Sequence, residues 1–175
     1  MRYNVAQLLH EDVGARRVVE IGDARGTLDC LTLLEPLEGT VRLTRTNRGI
    51  LATGVIETVV DSECSRCLEQ TRVPLRVELA EEFFAVVDLR TGLPASREID
   101  GEGFMLTEIH ELDLEEPLRQ GALVQMPMQP LCRDDCRGLC QQCGANLNEV
   151  SCPCAAVAVD PRLHDLARWL RNSGD

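Results

Sequence analysis

Lysine is absent: all 18 basic residues are arginine, set against 29 acids for a formal net charge of −11. Such a balance excludes nucleic-acid binding by bulk attraction, which requires basic groups facing phosphates. Aromatic residues make up only 3 % of the chain, leaving few faces on which bases could stack. No apolar run is long enough to cross a bilayer, and Met1–His10 lacks the continuous apolar stretch of a secretory leader. There is no Gly-rich phosphate loop, no nucleophile elbow and no histidine–carboxylate motif. His10, His110 and His164 sit at no ligand spacing from a cysteine. These absences lead us to expect a cytoplasmic non-enzyme with no membrane or small-molecule partner. In that reducing compartment clustered cysteines are metal ligands rather than disulfides.

Cysteine is what the chain has in quantity. Eight of its nine fall into pairs: Cys64/Cys67, Cys132/Cys136, Cys140/Cys143 and Cys152/Cys154. A C-x-x-C turn can aim both thiolates at one ion while its backbone N–H groups bond the sulfurs, and four thiolates close a tetrahedral zinc site. Eight therefore suggest two zinc ions, each closed site adding about two negative charges. One wiring joins Cys140, Cys143, Cys152 and Cys154, leaving Cys64 and Cys67 to meet Cys132 and Cys136. The rival wiring takes Cys132, Cys136, Cys140 and Cys143 as one site. A closed site lacks the open position a catalytic zinc needs, which argues against a hydrolase. Gly144 is expected to supply the unusual backbone angle behind Cys143. Cys30, unpaired in an apolar run, is expected to be core.

Between these pairs the pattern is mainly that of strands. Residues 5–13 suggest a short helix, and residues 17–21, 27–34, 41–46, 50–60 and 70–84 read as strands. Val41–Thr46 shows the period of two. Asn47 to Gly49 reads as a turn on grounds of positive φ, Gly54 as a bulge or close-packing point, and Pro74 as an edge residue. Asp113 and Glu116 suggest a capping box for a helix with Leu114, Leu118, Ala122 and Val124 on its apolar side. Asp160-Pro161 opens a final helix, in which Trp169 is expected to pack. The expected fold is α+β: an antiparallel β-sheet body with flanking helices over residues 1–130, and a cysteine-rich zinc module with a terminal helix over 131–175. Charge is uneven. Glu78 to Glu116 holds twelve acids and two arginines, whereas residues 1–77 carry eleven acids and ten arginines and residues 117–175 six of each.

Taken in order, Asn4-Val-Ala-Gln-Leu-Leu9, Gly39–Thr46, Cys64-Ser-Arg-Cys-Leu-Glu69, Glu111–Glu115, Met126-Pro127, Pro130-Leu-Cys132, Gly138-Leu-Cys140, Cys143-Gly144, Asn146-Leu-Asn148, Cys152-Pro-Cys154 and Asp160-Pro-Arg-Leu163 resemble the YceD family of bacterial and plastid proteins. The resemblance runs nearly the full length. It implies a non-enzymatic factor in large-subunit ribosomal RNA processing or assembly, partnered by that RNA or by a large-subunit ribosomal protein. It also favours joining Cys64 and Cys67 with Cys132 and Cys136. For an RNA contact the candidates are Arg42, Arg45 and Arg48 of the first hairpin and Arg66 between Cys64 and Cys67, because arginine forks match phosphate oxygens. Two further expectations compete from other classes: a thiol redox switch that expels zinc on oxidation, and an iron site at Cys140.

Overall fold

Apolar residues in the first half recur at every second position, and the backbone forms strands there. In a computed structural model, which describes residues 1–24, 27–28, 30–87, 103–154, 161–163, 166, 168 and 169, the order is β1 (Arg2–Asn4), α1 (Ala6–His10), β2 (Arg16–Ala24), β3 (Thr27–Leu28), β4 (Leu31–Thr32), β5 (Leu37–Arg45), β6 (Gly49–Glu63), β7 (Gln70–Phe84), β8 (Phe104–Met105), β9 (Glu111–Asp113) and α2 (Glu115–Gln125), then a 3-10 turn at Pro161–Leu163. The main sheet has the order β2-β5-β6-β7-β8. Its first three pairings are antiparallel and the short β7–β8 pair is parallel. Strands β6 and β7 pair along their whole length, from Gly49↔Phe84 to Glu63↔Gln70. That hairpin runs past the end of β5, whose pairing stops at Glu38↔Glu57, and carries Cys64 and Cys67 at its tip.

One face of the sheet makes the core. Val41 and Leu43, then Ile50, Ala52, Ile56 and Val60, then Val73, Leu75, Val77, Leu79 and Phe83 are all buried. Leu8 and Leu9 of α1 and Leu118 and Ala122 of α2 belong to the same core, with Leu114 just ahead of α2. Gly121 lets α2 approach closely, since a Cβ there would lie 2.6 Å from Val77 Cγ1. Burying Leu114, Leu118 and Ala122 turns Val124 outward, and it is 83 % exposed. Asp113 accepts the Glu115 N–H at 3.0 Å from one residue ahead of the N-cap, which is Leu114. Glu116 completes no capping box, because its carboxylate accepts from Arg119 and Gln120 instead.

Other expectations need correction. Residues 27–34 are not one strand but the β3–β4 hairpin, and Cys30 lies exposed at its turn. Strands β1 and β9, which pair with each other, were too short to show a period. Gly49 has no positive φ; it is needed because a Cβ would fall 1.9 Å from the Phe83 carbonyl oxygen. Gly54 is a close-packing point, as one of the two expectations had it, and not a bulge: a Cβ there would lie 2.3 Å from Thr40 O, within an unbroken ladder. Asp160, Ala167 and Leu170 of the expected terminal helix, with residues 88–102 of the acid-rich stretch, lie outside the described residues. Leu163, Leu166 and Trp169 are exposed. Among the described residues no helix is long and apolar enough to cross a membrane.

Candidate metal centres

Two cysteine turns with different flanking sequence have the same backbone. In the first, Cys64 N–H donates to Glu69 O at 2.8 Å and Leu68 N–H to Cys64 O at 2.9 Å. In the second, Cys140 N–H donates to Ala145 O at 2.8 Å and Gly144 N–H to Cys140 O at 2.9 Å. The residue after the second cysteine is left-handed in both, with φ of 61° at Leu68 and 71° at Gly144. Glycine adopts that conformation freely; leucine does so against its Cβ. The turn reverses the chain within one residue of the thiolate and aims the N–H groups between the cysteines at the first sulfur. Accordingly the Cys64 thiol is brought down to about 6, first by the Cys67 N–H and then by that of Arg66. Cys140 is brought down to about 6 by the N–H groups of Cys143 and Gln142.

Each turn meets a second cysteine pair. Cys64, Cys67, Cys132 and Cys136 form one cluster and Cys140, Cys143, Cys152 and Cys154 another, with all sulfurs of a cluster within 4.8 Å of one another. Nearest separations are 3.8 Å for Cys64–Cys136, 3.6 Å for Cys67–Cys132, and 3.4 Å for both Cys143–Cys152 and Cys140–Cys152. A tetrahedron of sulfurs at a Zn–S distance of about 2.3 Å has edges of about 3.8 Å, so both clusters fit an ion. The grouping is the first of the two wirings considered above; the alternative cluster of Cys132, Cys136, Cys140 and Cys143 does not form. All nine cysteines are free thiols.

The two clusters differ in shelter. Cys64, Cys67 and Cys136 are buried, with Leu131, Cys132 and Leu139 packed against them. Cys143 is exposed and its three companions are half-buried. Crowding also splits each set of thiols. Burial, then hydrogen bonding with Cys67, pushes Cys132 up to about 12; the side chains of Cys152 and Cys143 push Cys154 up to about 12. In each cluster the first cysteine of the C-x-x-C turn is the one brought down to about 6, and an arriving cation would displace the protons that remain.

The four candidate arginines do not converge. Val41 and Leu43 face the core, so period two puts Arg42 on the opposite face of β5 from Arg45. Arg45 donates to the carbonyls of Leu9 at 3.2 Å and Gly49 at 3.0 Å, and to that of Thr46. Arg48 pairs with Glu82 at 3.2 Å and lies 5.0 Å over the Phe84 ring. Arg66 donates to Cys136 O at 2.8 Å, bracing the first cluster. Arg42 is exposed. No spacing in the sequence signalled that the Ser65 N–H donates to Pro130 O at 2.8 Å, which seats the segment before Cys132 against the first turn.

Fold and site together define a β-sheet protein whose cysteine-rich C-terminal segment folds around two four-cysteine clusters, one of them completed from the sheet. The chain belongs to the YceD family: the family model described as large ribosomal RNA subunit accumulation protein YceD matches residues 52–168. An uncharacterized protein of Mycobacterium tuberculosis is 36 % identical over 107 residues, covering 61 % of this chain and 49 % of that protein. The chloroplastic large ribosomal RNA subunit accumulation protein YCED homolog 1 of Arabidopsis thaliana is 27 % identical over 175 residues, covering 87 % of this chain and 54 % of that protein. Its counterpart from Zea mays is 27 % identical over 163 residues, covering 79 % and 56 %. The chain spans about half the length of the curated relatives it matches. No solved structure matches it.

Proposed function

We propose that this chain is a non-enzymatic factor in the accumulation of large-subunit ribosomal RNA, with zinc in both cysteine clusters as a structural ion. The observation that carries this is the pair of closed four-sulfur clusters, all eight ligands inside the region that matches the family. The plant relatives bear the accumulation role in their names. Four thiolates leave no position for a substrate or an activated water, so the ions would hold the fold rather than perform chemistry. Four sulfurs also suit iron; elemental analysis should find two equivalents of zinc in a colourless protein.

Surface charge favours a basic large-subunit ribosomal protein as partner over the RNA itself. The chain stands at −11 before any thiolate ionises, and each zinc–tetrathiolate centre adds about −2. Phosphate is repelled by such a surface and a basic protein is attracted. Three of the four candidate arginines already hold protein groups. In-cell crosslinking should recover a large-subunit ribosomal protein, and depletion of the chain should lower large-subunit rRNA relative to small-subunit rRNA. Crosslinks mainly to rRNA through Arg42 would replace the protein partner with RNA. An unchanged rRNA ratio with neither partner recovered would remove the proposal.

The exposure of Cys143, 3.4 Å from Cys152, supports a second reading as a thiol redox switch. Mild peroxide would then release zinc from the second cluster first and alter activity; retention of both ions would eliminate it.

A further inference from the structure

Of the eight residues between Cys143 and Cys152, Asn146, Leu147 and Asn148 are half-buried and lie toward the other cluster. Leu147 N–H donates to Gly138 O at 2.9 Å, and Leu139 forms a β-bridge with Asn146. Asn148 then brackets Cys136. Its side-chain N–H donates to Cys136 Sγ at 3.3 Å, while its Oδ1 accepts the Arg137 N–H at 2.8 Å. Asn146 holds Asn148 in place: its Oδ1 accepts both the backbone and the side-chain N–H of Asn148, at 3.0 and 2.9 Å. The Asn146 side-chain N–H reaches Glu69 Oε1 at 2.7 Å, on the chain leaving the first cysteine turn. A loop closed at both ends by ligands of one cluster thus delivers a hydrogen bond to a ligand of the other.

We propose that the two centres bind metal cooperatively and that Asn148 is the positioning residue that couples them. This rests on both clusters being metal sites. An ion at Cys140, Cys143, Cys152 and Cys154 closes the loop and fixes Asn148. The N–H it presents to Cys136 orients that ligand sulfur, as outer-shell donors do at metal sites. By linkage the effect is reciprocal, and an ion at the first centre strengthens the second. The hydrogen bond from an amide N–H to a ligating sulfur is the link; the cysteines alone would give two independent sites.

The test uses the full-length zinc-loaded chain and a zinc chelator, with cysteine alkylation mapped by mass spectrometry to show which cluster opens. In the native sequence all eight cysteines should become reactive over one chelator range. Disabling the second centre with Cys143→Ser and Cys152→Ser should open the first at about ten- to hundredfold less chelator, the usual cost of losing an outer-shell partner. Asn148→Asp keeps an acceptor for the Arg137 N–H and removes the donor to sulfur. It should weaken the first centre by a similar factor, and combining it with the double serine variant should add little. Circular dichroism of the sheet should not change, since the core contains none of these residues. A first centre indifferent to loss of the second overturns the coupling. Native-like retention in Asn148→Asp overturns the role of Asn148. A chain that binds no zinc overturns the two-centre reading itself, and the coupling with it.

Discussion

Leu68 occupies the backbone position that Gly144 fills in the second cysteine turn, and its side chain is 57 % exposed. A left-handed leucine costs about 1–2 kcal/mol in backbone strain, whereas little packing is lost when an exposed side chain is removed. Leu68→Gly should therefore be neutral to stabilising, by up to about 1 kcal/mol once the extra freedom of glycine in the unfolded chain is counted. Urea unfolding would check it, and a clear loss would mean that Leu68 packs more than its exposure suggests. Arginines separate at the same scale. Arg45 ties the carbonyl of Leu9, at the end of α1, to the β5–β6 turn. Arg45→Ala should cost about 1.5–3 kcal/mol, as charged hydrogen bonds to carbonyls do. Arg42→Ala, on the open face, should stay within about 0.5 kcal/mol. The period of strand 41–46 was legible in the sequence, but the carbonyls that Arg45 would meet came from α1 and the following turn. No local pattern could reveal them.

At the scale of elements, α2 depends on its contact with β7. Gly121 admits no Cβ without displacing Val77 Cγ1, 2.6 Å away. Gly121→Val should cost about 1–3 kcal/mol through overpacking, despite valine's better helix propensity, and the thermal midpoint should fall accordingly. Glycine is a weak helix former, and the reason for one at position 121 is a strand more than forty positions earlier. The same helix offers a pH test. Hydrogen bonds from Arg119 and then Gln120 hold the Glu116 carboxyl down to about 2, against an ordinary value of 4.5. A depressed folded-state value means the contribution is fully present above pH 4.5 and fades as pH falls toward about 2. Glu116→Gln should consequently be less stable than the native chain at neutral pH, with the difference closing across that window. A difference that is constant with pH would assign the effect to helix propensity instead.

For the whole molecule the two hydrophobic clusters are distinct. The main core lies between the sheet and its helices and includes no cysteine. The smaller one consists of Cys64, Cys67 and Cys136 with Leu131, Cys132 and Leu139. If thiolate–metal bonds hold the second, chelation should make Arg133 and Arg137 sensitive to trypsin while the β-sheet keeps its circular dichroism. Restoring zinc should restore protection. Trypsin resistance in a metal-free, reduced chain would show that packing alone retains the segment.

The sequence by itself determined which face of the strand at residues 41–46 turns inward, since alternation can bury only one face, and it determined that paired thiols would gather. These are local properties of spacing and period. Tertiary structure decided between the two wirings that spacing left open. Cys64 and Cys132 are far apart along the chain, and a tetrahedron of sulfurs is blind to sequence distance. The β6–β7 hairpin, outrunning β5, carries Cys64 and Cys67 to where the segment after Pro130 returns. Tertiary structure likewise set Asn148 against Cys136, because a hydrogen bond between two clusters requires both to be folded before either residue has a role.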